Sequence, residues 1–224
     1  MKKYIAIIIF SVFVYSCNSN QENMVVKGKI HNFQKGKVYL EKMKDTVLVK
    51  VDSVTLDGMN TFELSDNLES PQIYYISISK SDKYLQFFAE EGEIQIISDL
   101  KTFGFKPIIK GSKNQVLLDE YAINKTKYNN LYLDLIKERF EALKNKDNEL
   151  VAEIESKMLN VERRKYLYTI NFANNHADYE IAPYLVLTEA PNAKGKLLDT
   201  IEKAMTTKVK NSLYGKKFMA FLKN

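Results

Sequence analysis

The thiols and imidazoles on which much covalent and metal chemistry rests are scarce in this sequence: one cysteine, Cys17, and two histidines, His31 and His176. Thiol–disulfide exchange needs an attacking thiolate and a second sulfur to resolve the mixed disulfide. A single cysteine supplies neither a Cys-x-x-Cys pair nor an internal disulfide. Each histidine lacks a second ligand at metal-binding spacing, so a structural or solvent role and no metal site are expected. A serine nucleophile needs a histidine base, and no Gly-x-Ser-x-Gly elbow is present. The eight glycines are scattered at turns rather than gathered into a phosphate cradle. Neighbouring carboxylates at Glu90-Glu91 and Asp119-Glu120 point in different directions on a strand end or a helix, which predicts solvated side chains. No catalytic residue and no cofactor are therefore expected. Tyr74-Tyr75 and Phe87-Phe88 remain, either as an aromatic face on a sheet that binds a glycan or peptide, or as core residues beside exposed neighbours.

Cys17 draws its meaning from what precedes it. Lys2 and Lys3, then an apolar run from Tyr4 to Tyr15, then small Ser16 make a secretory signal over residues 1–16, cleaved between Ser16 and Cys17. The run falls well short of the roughly 20 apolar residues that a membrane span requires. Val14-Tyr15-Ser16-Cys17 resembles the lipobox of bacterial lipoproteins, with Tyr15 bulkier than the small residue usual there. The resemblance implies that the Cys17 thiol is acylated and that Cys17 becomes the mature N-terminus. The alternative is a secreted protein with one free thiol, unusual in an oxidising compartment. Residues 17–23 then read as a lipidated tether: the six polar residues from Asn18 reach about 20 Å at about 3.3–3.6 Å each. With one acidic residue, the tether lacks the acidic run of surface-exported lipoproteins. The expected location is the cell envelope, lipid-anchored, on the outer membrane facing the periplasm.

Of the 224 residues, removal of 1–16 leaves 208, and the formal charge falls from +5 to +3 with the loss of Lys2 and Lys3. So small a balance, with acidic and basic residues interleaved, argues against nucleic acid as a partner. Trp is absent, which leaves 14 Tyr and 12 Phe to supply the aromatic contacts.

The apolar period divides the mature chain in two. Across residues 24–111 it is two, or the run is short and β-branched, with turn residues about every ten positions. Strands are predicted at Val25–Ile30, Lys37–Glu41, Thr46–Ser53, Val54–Leu56, Thr61–Leu64, Ile73–Ile78, Tyr84–Glu90 and Glu93–Ile97, with an edge strand at Lys106–Lys110. Asp57-Gly58 marks a turn between two of them, in a loop lengthened by Met59 and Asn60. From Ser112 the period becomes helical. Ser112 and Gln115 form a capping box, Leu117, Tyr121, Tyr128, Leu131 and Leu135 share a stripe to about Lys144, and Asp147 caps a second helix. That second helix carries Leu150, Ile154, Met158, Val161, Tyr168 and Phe172 to about His176. Shorter helices follow at Glu180–Thr188, Ala193–Met205 and Ser212–Leu222. The fold expected is α+β: an N-terminal antiparallel β-sandwich or partly closed barrel, then a C-terminal helical bundle over 112–224 packed on the sheet.

These residues, in order, carry a resemblance. Val26-x-Gly28-x-Ile30, Lys37-Val38-Tyr39-Leu40, Val51-Asp52-Ser53, Leu56-Asp57-Gly58, Ala89-Glu90-Glu91-Gly92 and Lys110-Gly111-Ser112-x-Asn114 follow the lipobox. The chain is similar to the N-terminal domain of unknown function, 4369-type, of thioredoxin-like thiol–disulfide interchange lipoproteins of Gram-negative bacteria. Val209-Lys210-Asn211-Ser212-x-Tyr214-Gly215 resembles the segment that precedes their thioredoxin-like domain. Asn224 falls where that domain would follow, so the resemblance implies no redox activity here. It points to a non-enzymatic envelope accessory or binding protein, or to the non-catalytic subunit of a split system whose thioredoxin-like partner is another chain.

Overall fold

Alternating apolar residues give a strand two usable faces, and one sheet of this protein buries both. The structure, a computed structural model, describes residues 22–193 and 195–223, so Ser16 and Cys17 lie outside the described residues. Eight strands come first: β1 (Met24–His31), β2 (Lys35–Lys44), β3 (Val47–Asp57), β4 (Thr61–Asp66), β5 (Gln72–Ile78), β6 (Tyr84–Ala89), β7 (Gly92–Asp99) and β8 (Ile108–Lys110). They form two four-stranded sheets, β4-β1-β7-β8 and β3-β2-β5-β6, not closed into a barrel. All pairings are antiparallel except β1 with β7, which run parallel from Met24 opposite Gly92 to His31 opposite Asp99.

Val26, Ile30, Leu64, Ile94 and Ile96 from one sheet meet Val38, Leu40, Tyr74, Ile76, Leu85 and Phe87 from the other. Gly28 has a reason to lack a side chain: a Cβ there would lie 2.0 Å from Cζ of Phe62, whose ring covers the position from the paired strand.

The strand boundaries depart from expectation where the chain changes sheets. Thr46–Ser53 and Val54–Leu56 belong to one continuous strand, β3, bent by a bulge opposite Leu40 and Glu41. The Asp57-Gly58 turn closes no hairpin, because β3 and β4 lie in different sheets. The loop carries the chain over the sandwich edge, with Gly58 N–H donating to the Gln34 carbonyl at 2.9 Å. Glu90 and Glu91 make a similar crossing between β6 and β7.

The helical part comprises α1 (Lys113–Lys144), α2 (Asn148–Asn175), α3 (Ile181–Glu189), α4 (Lys196–Ala204), α5 (Thr207–Asn211) and α6 (Leu213–Phe221). Gly111 turns the chain from β8 toward α1 with φ of 99°, in a position where a Cβ would lie 2.1 Å from the Glu93 carbonyl oxygen. A left-handed residue pressed against backbone favours glycine on both counts. Asp147 caps α2 by accepting from Leu150 N–H at 3.0 Å. The α1–α2 hairpin lies on the outer face of the second sheet, where Ile73 and Phe88 pack with Leu117, Tyr121, Phe172, Ile181 and Leu185. Its far end holds a separate seam of Leu135, Ala142, Ile154 and Val161. Leu131 and Leu150, expected in the stripes, are exposed instead. α5 is additional to the expected helices, and α4 starts only after Gly195. The last helix is anchored at both ends: Phe218 is fully buried with Ile170, Val186, Ile201 and Val209, and Tyr214 reaches β5. Among the described residues no helix is long and apolar enough to cross a membrane.

Candidate functional site

The densest polar arrangement sits where sandwich and helices join. Ser112 caps α1 by accepting from Gln115 N–H at 3.0 Å, and its own hydroxyl donates to Glu90 Oε1 at 3.0 Å. The same oxygen receives the backbone N–H of Asn114 at 2.5 Å and its Nδ2 at 2.8 Å. Asn114 Nδ2 also donates to Glu180 Oε2 at 3.0 Å, while its Oδ1 accepts from Ile181 N–H at 2.7 Å. One buried amide thus ties the β6–β7 crossing, the start of α1 and the start of α3 into a unit. Gln115 does not complete the capping box. Its Oε1 accepts from Phe88 N–H at 2.7 Å and its Nε2 donates to Asp119 at 2.7 Å, because the edge strand β6 offers it an amide that needs a partner.

Glu180 is 2 % exposed, and its second oxygen, Oε1, has no hydrogen-bond partner. The nearest cation, Lys208 Nζ, stands 3.8 Å away on a side chain that is 78 % exposed. Glu180 lines a cleft of about 370 Å³ together with Glu69, Glu90, Glu91, Lys208 and Ser212. Larger grooves lie beside Gly28, Leu56 and Phe62, about 570 Å³, lined from both sheets, and past the strand ends at Phe33 and Ser79, about 770 Å³. Buried side-chain oxygens without a partner occur, among the described residues, in Glu41, Ser98, Asn174 and Glu180. Of these, Glu180 alone lines one of the three clefts.

The cleft opens beside the entry of the chain into the fold. Asn23, expected in the tether, is fixed: its side chain pairs with both backbone groups of Leu68, at 2.6 and 2.8 Å, and donates to Glu91 at 3.2 Å. A second polar cluster spans the sheet edge, where Asp66 Oδ2 accepts from the Tyr74 hydroxyl and from Lys42 Nζ, each at 2.6 Å. Burial pushes the Asp66 carboxyl up, but these two hydrogen bonds and the Lys42 charge outweigh it and hold the group below its ordinary value. Burial and the same contact push the Tyr74 hydroxyl well up.

The residues singled out from sequence are not brought together. His31 is exposed at the end of β1, and His176 ends α2 with its ring 4.4 Å from that of Phe172. Asp119 and Glu120 are exposed, whereas Glu90 is no idle solvated carboxylate but the acceptor that joins the two layers. The aromatic pairs give no open platform. Tyr74 and Phe87 are fully buried inside the sandwich. Phe88 is fully buried on the other face, beneath Tyr184 and Tyr214 at centroid distances of 5.6 and 6.0 Å, with Tyr75 partly buried in the same layer. Helices occupy the face that a glycan would need. Sequence reasoning missed Asn114 and Glu180 as a pair, since neither carries a signature at their separation; the Ser112-x-Asn114 spacing was the one available signal.

Residues 24–118 match the family model described as a domain of unknown function (DUF4369), a span that runs from the first residue of β1 into α1. The match takes in Glu90, Ser112 and Asn114 and leaves out Glu180. Comparison with curated proteins and with solved structures found no match.

Proposed function

We propose that this chain is a lipid-anchored accessory or binding protein of the cell envelope, without a catalytic centre of its own, held through acylated Cys17 to the outer membrane and facing the periplasm. The observation that carries the reading is the order of segments: a dibasic start, a short apolar run, Val14-Tyr15-Ser16-Cys17, and a polar stretch that meets the folded body at Asn23. Acyl chains contribute about 0.8 kcal/mol per buried CH₂, and two or more of them hold a protein on a membrane where one does not. Replacing Cys17 by Ser moves the protein from the membrane to the soluble fraction. A variant that still sediments with membranes after a high-salt wash overturns the anchor.

A second reading makes the chain the non-catalytic subunit of a split thiol–disulfide system. What supports it is the resemblance of the sequence, through Lys110-Gly111-Ser112-x-Asn114 and Val209-Lys210-Asn211-Ser212-x-Tyr214-Gly215, to the region that accompanies thioredoxin-like domains in lipoproteins. Under both readings the purified protein alone does not reduce insulin. Turnover by the Cys17→Ser form refutes both, and co-purification with a separately encoded thioredoxin-like chain selects the second.

A further inference from the structure

The cleft at Glu180 has more negative charge than the fold uses. Its lining contains the carboxylates of Glu69, Glu90, Glu91 and Glu180 against the single ammonium of Lys208. A glutamine at position 180 would accept from Asn114 Nδ2 as well as the glutamate does and would bury no charge. The glutamate instead keeps an oxygen with neither solvent nor a hydrogen bond, which costs free energy unless something pairs with it. Lys208 does so only weakly, as an ion pair at 3.8 Å that is beyond hydrogen-bond range, with its side chain in solvent at the rim. Glu90, half-buried, directs its three hydrogen bonds all to Oε1, which leaves Oε2 free of hydrogen bonds within the described residues. Asn114 therefore holds two carboxylates at a fixed spacing, each with one oxygen committed to the fold and one left over.

We propose that this cleft seats the guanidinium of an arginine side chain presented by a partner polypeptide. The inference rests on the reading of the chain as a binding protein. A guanidinium offers five N–H donors in a planar fork, which suits two fixed carboxylates better than a point charge does. Among the described residues no group of three His, Cys, Asp or Glu side chains converges as a metal site would require, which favours an organic cation over a protein-caged metal ion. About 370 Å³ lies at the small end of ligand sites and matches one side chain rather than a whole cofactor. Lys208 occupies the rim as a weak internal substitute that an arriving arginine displaces.

The probe is N-acetyl-arginine amide, titrated into the detergent-solubilised protein by NMR, with N-acetyl-citrulline amide as its uncharged isostere and calcium chloride as the metal control. Saturable binding of the arginine probe, at least tenfold tighter than that of citrulline, is expected. Glu180→Gln weakens it at least tenfold while the unfolding midpoint holds, because the Asn114 hydrogen bond survives. Lys208→Ala tightens it severalfold, whereas a merely structural ion pair would make that variant less stable and no better at binding. If Glu180→Gln does not fold, the Lys208→Ala result decides. Absence of saturable arginine binding, equal binding of citrulline, insensitivity to both substitutions, or calcium binding that depends on Glu180 overturns the proposal. Fractionation of the Cys17→Ser form and the insulin assay are untouched by that outcome, so failure of the cleft and failure of the anchored-protein reading are separable.

Discussion

Replacing Asn114 by alanine isolates the contribution of the amide that joins the two halves. The change removes donations to two carboxylates and leaves the Ile181 N–H, at the start of α3, without an acceptor. Hydrogen bonds to charged groups contribute about 1.5–3 kcal/mol each and a buried orphan donor costs about 1–3 kcal/mol, but members of one network are not additive. A net loss of about 3 kcal/mol follows, a large share of a typical total of about 5–15 kcal/mol. On the Cys17→Ser form, followed by circular dichroism in urea, that loss lowers the midpoint by about 1 M or more at slopes of about 2–3 kcal/mol/M. Asn114→Asp sharpens the test. It keeps the acceptor for Ile181 but places a third carboxylate between Glu90 and Glu180. Repulsion raises the folded-state pKa of the new group above its unfolded value, so the penalty is full above the folded pKa and disappears as pH falls below the unfolded one. The aspartate variant is therefore weaker than the parent at neutral pH and recovers toward it near pH 4. An alanine variant within 1 kcal/mol of the parent, or an aspartate variant whose deficit ignores pH, would refute the junction as a cohesive element.

Phe218→Ala empties a fully buried site in α6 and lowers stability by about 3–5 kcal/mol in chemical denaturation, in contrast to Phe140→Ala, at an exposed position, which changes it by less than about 0.5 kcal/mol. Gly28→Ala drives a methyl into the Phe62 ring and costs about 1–3 kcal/mol, and a Phe62→Leu background recovers part of that loss in a double-mutant cycle. Asp66 has a lowered folded pKa, so its contribution is present at neutral pH and is lost as pH falls through the carboxylate range. Asp66→Asn is accordingly less stable than the parent at pH 7 and loses less on acidification, as thermal unfolding from pH 7 to pH 3 would show.

Local chemistry was legible where it acts alone. Ser112 and Asp147 announced the starts of α1 and α2 because a short polar side chain next to orphan amides has few other uses. The sheets were legible only as strands. Asp57-Gly58 looks the same whether the next strand pairs with the last one or crosses to another sheet, and the choice is made by the pairing of β1 with β4 and β7. Leu131 and Leu150 fit helical stripes by spacing, yet beyond the sandwich two helices alone leave part of each stripe uncovered. Phe88 and Tyr75 were open to either reading, binding face or core, because no periodicity says which face of a sheet another layer will cover. Glu180 and Asn114 meet through tertiary structure alone, and a carboxylate 66 residues from its amide leaves no trace in a sequence window.

The hold of α6 on β5 sets an order of events for a chain that emerges N-terminus first. The amide of Ile73 finds the Tyr214 hydroxyl 141 residues later, and Ser70 finds the amide of Leu213 143 residues later. The parallel β1–β7 pair already requires a closure across 68 residues, Met24 to Gly92. Non-local closures of this kind slow folding, since the entropy of each loop is lost before its contacts form. The sandwich can gather its two sheets early, but Phe88 and the outer face of β5 are covered in stages, first by residues of α1, α2 and α3 and fully only once Tyr214 has arrived. Until then the nascent protein presents a sheet face still partly uncovered, the kind of surface that holding chaperones cover.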